Sequence, residues 1–239
     1  MVVALCAIGT SARADTVVPC TATTCTWALS VGGTTVESGS YNADPATGIL
    51  SVNPVNWAQN GLTASINLNG NSDPILGFNF SAGTTTAASS FSLTLTMPVS
   101  LAGEIAANSS ASYSLTSLSG AGANIQATAD EVVTAFEEST LPGGPAPFNK
   151  GVDVGANFSF AGGPATQSSP VYTAANLFNL ASGNQFNEMV VTVGFTLSAE
   201  SNVGISGFVQ QTPVPLPGAA WLFLSGGFSI FGLFRRNRS

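Results

Sequence analysis

The stretch Asn60-Gly61-Leu62-Thr63-Ala64-Ser65-Ile66-Asn67-Leu68-Asn69-Gly70 decides the fold. Its apolar residues Leu62, Ala64, Ile66 and Leu68 interleave with Thr63, Ser65 and Asn67, the period of two that sends successive side chains to opposite faces of a strand. Asn-Gly stands at each end, and both residues tolerate the positive φ of a tight hairpin turn, so each pair predicts a turn.

Working outward, the alternation recurs at Cys25, Trp27, Leu29, Val31; at Phe91, Leu93, Leu95, Met97; at Val152, Val154, Ala156, Phe158, Phe160; and at Met189, Val191, Val193, Phe195, Leu197. Weaker strands are predicted around Ile75 to Phe80, Tyr113 to Leu118, Asn124 to Thr128 and Val203 to Phe208. Each strong strand has one apolar face and one face of small polar residues. That pattern belongs to antiparallel sheets with one side on a core and one in water, and two such sheets packed together make a sandwich. The expected fold is all-β, an antiparallel, jelly-roll-like β-sandwich over residues 15–211.

Two segments depart from the alternation. Thr128 and Glu131 have capping-box spacing and Val132, Val133 and Phe136 follow at helical intervals, so Ala129 to Glu138 is expected as a short helix. Ala174 to Ala181 is expected as a second. Leu141 to Pro147 is a Pro/Gly run and reads as a loop. Asn79-Phe80-Ser81 echoes Asn157-Phe158-Ser159, which reads as recurring strand chemistry rather than a repeat.

Only 7% of the 239 residues are charged, so the surface must be built mostly from Ser, Thr, Asn, Gly and Ala. With 44% apolar residues and 15 Phe, the chain still has the material for a core. Between Asp15 and Pro217 twelve acidic residues stand against Lys150 alone, a formal −11 that repels phosphate backbones and argues against nucleic acid as a partner.

The absence of His removes the commonest general base and metal ligand, and with it Ser-His-Asp and Cys-His catalysis. Asp130, Glu131, Glu137 and Glu138 could serve a two-carboxylate glycosidase, although a solvated face is the commoner meaning of such a run. Asn69 to Asp73 is faintly like a calcium loop but lacks the distal Glu, and reads as a turn. No metal or cofactor is implied. Trp27, Trp57, Tyr41 and Tyr113 are the aromatic residues that a sugar-stacking platform would use. Trp27 lies on an apolar strand face, where core packing is its default role.

At the N-terminus, Val2 to Ile8 is an apolar run and Ala12-Arg13-Ala14 offers the small residues a signal peptidase accepts. Residues 1–14 are therefore expected to be a signal peptide, cut between Ala14 and Asp15. A buried first strand is the other reading of the run. Cys20 and Cys25 then remain in an oxidising compartment, where a disulfide is the simplest outcome, contributing about 2 kcal/mol for so short a loop. Zinc is the weaker reading of the pair, since no His stands beside it.

The C-terminus has three parts. Pro213-Val214-Pro215-Leu216-Pro217 is too proline-rich for helix or central strand and reads as an extended spacer. Gly218 to Phe234 follows with no charge, carrying Trp221, Leu222, Phe223, Leu224, Phe228, Ile230, Phe231, Leu233 and Phe234. As a helix it would reach about 26 Å against a hydrocarbon core of about 30 Å, a marginal transmembrane span. Arg235, Arg236 and Arg238 come next, a basic cluster expected to stay on the cytoplasmic side.

The tail, residues 212–239, resembles the PEP-CTERM sorting signal in its VPLP variant. The matching residues are Val214-Pro215-Leu216-Pro217, Ala219-Ala220-Trp221-Leu222-Phe223, Ser225-Gly226, Gly232-Leu233 and Arg235-Arg236. Leu216 stands where the commonest form has Glu. The resemblance implies an exosortase as processing partner, a transient inner-membrane anchor, and release to or attachment at the surface of an exopolysaccharide-making Gram-negative bacterium. It says nothing of the domain's fold. The expected function is a non-enzymatic, exported structural protein of the cell surface or extracellular matrix. The alternative is a carbohydrate-binding module associated with exopolysaccharide, for which Trp57 or Tyr41 would have to be exposed on a concave face.

Overall fold

Phe91, Leu93, Leu95, Met97, Val99 and Leu101 are all buried, while the residues between them are half-exposed, so a single 14-residue strand shows the alternation the sequence carries. The computed structural model describes residues 25–44, 48–52, 54–71, 75–138, 152–163, 165–179 and 185–214. In chain order the strands are β1 (Thr26–Val31), β2 (Thr34–Ser40), β3 (Asn42–Ala43), β4 (Ile49–Ser51), β5 (Val55–Gln59), β6 (Leu62–Asn71), β7 (Ile75–Thr84) and β8 (Ser89–Ala102). They continue as β9 (Glu104–Ser117), β10 (Ala123–Ala127), β11 (Val133–Glu138), β12 (Phe158–Phe160), β13 (Thr166–Ser168), β14 (Tyr172–Asn179), β15 (Gln185–Leu197) and β16 (Ser201–Pro213).

All pairings are antiparallel. One sheet runs β12-β10-β15-β8-β1-β2, with β11 also on β15. The other runs β13-β9-β16-β7-β6-β4-β3, with β14 also on β9 and β5 also on β6. Their apolar faces meet in one core, where Phe80 of β7 lies against Phe195 of β15 with ring centroids 5.6 Å apart. Phe91 stacks on the same ring at 5.7 Å. The fold is therefore an all-β sandwich, as expected, and β7, β8, β9 and β10 pass the chain from one sheet to the other at each step.

Polar groups close the corners. The Thr84 hydroxyl donates to the Ser198 carbonyl oxygen at 2.5 Å, and the Ser198 hydroxyl accepts from the Asn124 amide at 2.9 Å. This ties β7 in one sheet to β10 and the β15–β16 corner, leaving the buried Thr84 and Ser201 side chains satisfied.

Three expectations need correction. Among the described residues there is no helix. Val133–Glu138 is strand β11, paired residue for residue with Glu188 to Val193, because the edge of β15 offers backbone partners that β-branched Val132 and Val133 suit at least as well as a helix. Thr128, read as a helix cap, instead donates its backbone N–H to the Gly194 carbonyl at 3.2 Å. Likewise Tyr172–Asn179 is strand β14, eight consecutive pairs along β9. Finally, Asn60-Gly61 does form the β5–β6 turn, with φ of 53° and 76°, but Asn69-Gly70 lies inside β6. There Gly70 is needed because the Ile75 carbonyl oxygen occupies the place of a Cβ.

The Val152 to Phe160 strand is shorter than its alternation suggests. Gly155, at φ 103°, breaks it, leaving a bridge from Val154 to Val133 and the three residues of β12. Residues 1–14, expected as a signal peptide, with Asp15, Cys20, and the residues from Pro215 through Arg238 lie outside the described residues; Val214 is exposed just beyond β16. Cys25, immediately before β1, is fully buried. Among the described residues no helix is long and apolar enough to cross a membrane.

Candidate functional site

The outward face of the nine-stranded sheet carries the chain's small polar residues in register. Asn202 of β16 is paired with Gly83 and Thr116, and Gly83 in turn with Thr63, whose partner is Ala58. One step along, Gly204 is paired with Ser81 and Ser114, Ser81 with Ser65, and Ser65 with Asn56. All of these residues except Gly83 line an open groove of about 590 Å³ crossing five strands, with Trp57 also on its wall.

Two glycines of these rows differ in what lies over them. At Gly83 an added Cβ would meet the Asn202 amide oxygen and, at 2.6 Å, the Thr63 hydroxyl. A side chain there would displace both polar groups from the sheet surface. At Gly204 the nearest atom to an added methyl would be the Ser81 hydroxyl at 4.0 Å, so the floor is open above it.

Chemically the groove offers the hydroxyls of Thr63, Ser65, Ser81, Ser114 and Thr116 and the amides of Asn56 and Asn202. No lining residue is ionisable, so the groove holds no general acid, base or charged nucleophile. Among the described residues no group of three or more His, Cys, Asp or Glu could hold a metal ion.

The aromatic residues named from the sequence divide. Trp27, Tyr41 and Tyr113 are buried in the core, and only Trp57 is half-exposed, on the edge strand β5 at the groove. Burial pushes the Tyr41 and Tyr113 phenols above their ordinary value of 10.0, and Tyr172 and Glu131 add to the effect at Tyr113. Of the acidic run, Asp130 is exposed and Glu131 half-buried in the turn before β11, away from the groove lining. In the calcium-like stretch, Asn69 to Asn71 belongs to β6, and Ser72 and Asp73 lie outside the described residues.

No protein-family model matches the chain, and no curated protein matches it. Among solved structures, the chain is similar to the enzymatically active domain of bacteriophage CBA120 tailspike protein 4 at 10% identity and a TM-score of 0.29, over 66% of this chain and 19% of that one. The carbohydrate-binding module TmCBM27, described with specific mannan recognition, gives 12% identity and 0.27 over 68% of this chain and 90% of that one. TmCBM61, in complex with β-1,4-galactotriose, gives 13% and 0.26 over 58% and 71%. The chain thus spans about a fifth of the tailspike domain's length. Likenesses this distant carry no weight on ligand or activity.

The groove was not singled out by the sequence. Its signal is nonetheless there: only Gly, Ser and Asn stand at these outward positions of β7 and β16, as Asn79, Ser81, Gly83 and as Asn202, Gly204, Ser206. Asn79 and Ser81 belong to the echoed Asn-Phe-Ser triplet, whose Phe80 points into the core between them.

Proposed function

We propose that the sandwich is a non-enzymatic carbohydrate-binding module that holds an uncharged polysaccharide in the groove of the nine-stranded sheet. The observation that carries this reading is a 590 Å³ groove lined with hydroxyl and amide groups and with no ionisable side chain. Such a surface can donate to and accept from sugar hydroxyls, which are themselves both donor and acceptor. It offers no cation to pair with a carboxylate, sulfate or phosphate, and the −11 formal charge between Asp15 and Pro217 repels them. An uncharged, hydroxyl-rich polymer fits both facts.

Calorimetric titration of the full-length protein with soluble neutral and acidic polysaccharides tests the proposal. At least one neutral polysaccharide should bind, acidic ones should not, and Gly204→Val should abolish binding by filling the floor. Failure of every neutral polysaccharide to bind, or unchanged binding by Gly204→Val, would overturn the reading.

We further propose that the module is displayed at the cell surface through its tail, with an exosortase acting near Val214-Pro215-Leu216-Pro217 after the span from Trp221 to Phe234 and the stop at Arg235, Arg236 and Arg238 have held the chain in the inner membrane. The support is the order of the three segments: rigid spacer, uncharged stretch, basic end. Deleting Pro213 to Ser239 should abolish envelope retention, and unchanged localisation would refute it.

A further inference from the structure

Beyond the groove, the same outward face of β16 carries one large apolar side chain. Phe208 is 38% exposed although the surrounding positions are small: Gly77 is its partner on β7, and Ser110 its partner on β9. It shares its face with Asn202, Gly204 and Ser206, since all four stand at alternate positions of one strand. Val203, Ile205 and Val209, at the opposite parity, are buried in the core.

Phe208 stands four residue steps beyond Gly204, about 13 Å along a strand at about 3.3 Å per residue. The interval is paved with polar groups held in place, for the Ser206 hydroxyl donates to the Asn79 amide oxygen at 2.8 Å. From Asn202 to Phe208, neither the outward residues of β16 nor their partners on β7 and β9 are ionisable. The track from groove to ring is therefore continuous in chemistry as well as in direction.

We propose that Phe208 is a stacking platform for a sugar ring at the far end of the binding track, so that the ligand is an unbranched neutral polysaccharide lying along β16 and longer than a disaccharide. The inference rests on the carbohydrate-binding reading of the groove. An exposed aromatic face is matched by the apolar C–H face of a pyranose, and beside the ring the Asn69 side-chain amide lies over Gly77, a polar group within reach of the sugar's hydroxyls. Hydrogen bonds in the groove would fix one part of the chain, and stacking on Phe208 would fix another. The two contacts then act as linked sites on one ligand.

The test titrates the full-length wild type, Phe208→Ala and Phe208→Trp with a length series of neutral oligosaccharides drawn from whichever polysaccharide binds. Phe208→Ala should weaken binding of the longest members about tenfold and leave disaccharide binding unchanged, and Phe208→Trp should restore the long-chain affinity. Equal affinity of wild type and Phe208→Ala for every length would overturn the platform while leaving the groove reading intact. Absence of any glycan binding by the wild type would remove both. A fall in sedimentation-measured self-association in Phe208→Ala, with glycan affinity unchanged, would assign the ring to contact with a second copy instead and overturn the proposal.

Discussion

The phenol of Tyr41 donates a 2.7 Å hydrogen bond to the backbone carbonyl oxygen of Thr96. Tyr41 stands between β2 and β3, where the chain leaves one sheet for the other, and its ring is buried. The bond therefore ties the crossing to the centre of β8. Tyr41→Phe keeps the ring and removes the donor, so it should cost about 1 kcal/mol, the net worth of a typical hydrogen bond. Urea denaturation should show a lower midpoint with an unchanged slope.

Stability should also fall at high pH. The Tyr41 and Tyr113 phenols sit above their ordinary value of 10.0, chiefly through burial, whereas in the unfolded chain they ionise near that value. Above pH 10 the unfolded state gives up protons that the folded state keeps, which favours unfolding. The thermal midpoint should be insensitive to these two groups below pH 9 and drop beyond pH 10. Tyr41→Phe should flatten that drop, and an equally steep drop in the variant would contradict the assignment.

The two rings of Phe80 and Phe195 bridge the sheets, and Phe195 also stacks on Phe91. Phe195→Ala would leave a cavity at the centre of the core, with an expected loss of roughly 3–5 kcal/mol. A loss below about 1 kcal/mol would mean that the sheets do not meet there, since surface changes typically stay within about 0.5 kcal/mol.

Two glycines should behave oppositely. Gly61 has φ 76° and a Cβ there would collide with the Thr85 hydroxyl, so Gly61→Ala should cost about 1–2 kcal/mol. Gly204 has open space, its nearest neighbour being the Ser81 hydroxyl at 4.0 Å, so Gly204→Ala should be close to neutral, within about 0.5 kcal/mol. Chemical denaturation of both variants distinguishes the strained turn from the open floor.

What could be read from the sequence follows from side-chain size. Strands with large apolar residues at every second place, β1, β8 and β15, stand out because Leu, Val and Phe declare the buried face. The first half of β9 escapes notice because its inward positions are Ala107, Ser109 and Ala111, which carry almost no periodic signal. For β14, Ala174 and Ala175 favour a helix locally, and the choice is made by β9, whose edge supplies eight partners that no local propensity reflects. The Asn-Gly pairs show the same limit: identical dipeptides become a turn at 60–61 and strand at 69–70, since the pairing of β6 with both β4 and β7 continues through the second. The groove residues were hidden for a related reason. Ser65, Ser81, Ser114, Asn202 and Gly204 are ordinary outward residues of four strands, and only the register brings them into one groove.

The most direct test follows the side-chain amides of Asn56 and Asn202 by nitrogen-15 NMR while a neutral polysaccharide that binds is added to the full-length protein. Both amide pairs should shift together and saturate at one ligand concentration, because both line the groove. Glycan binding with both signals stationary would contradict the account.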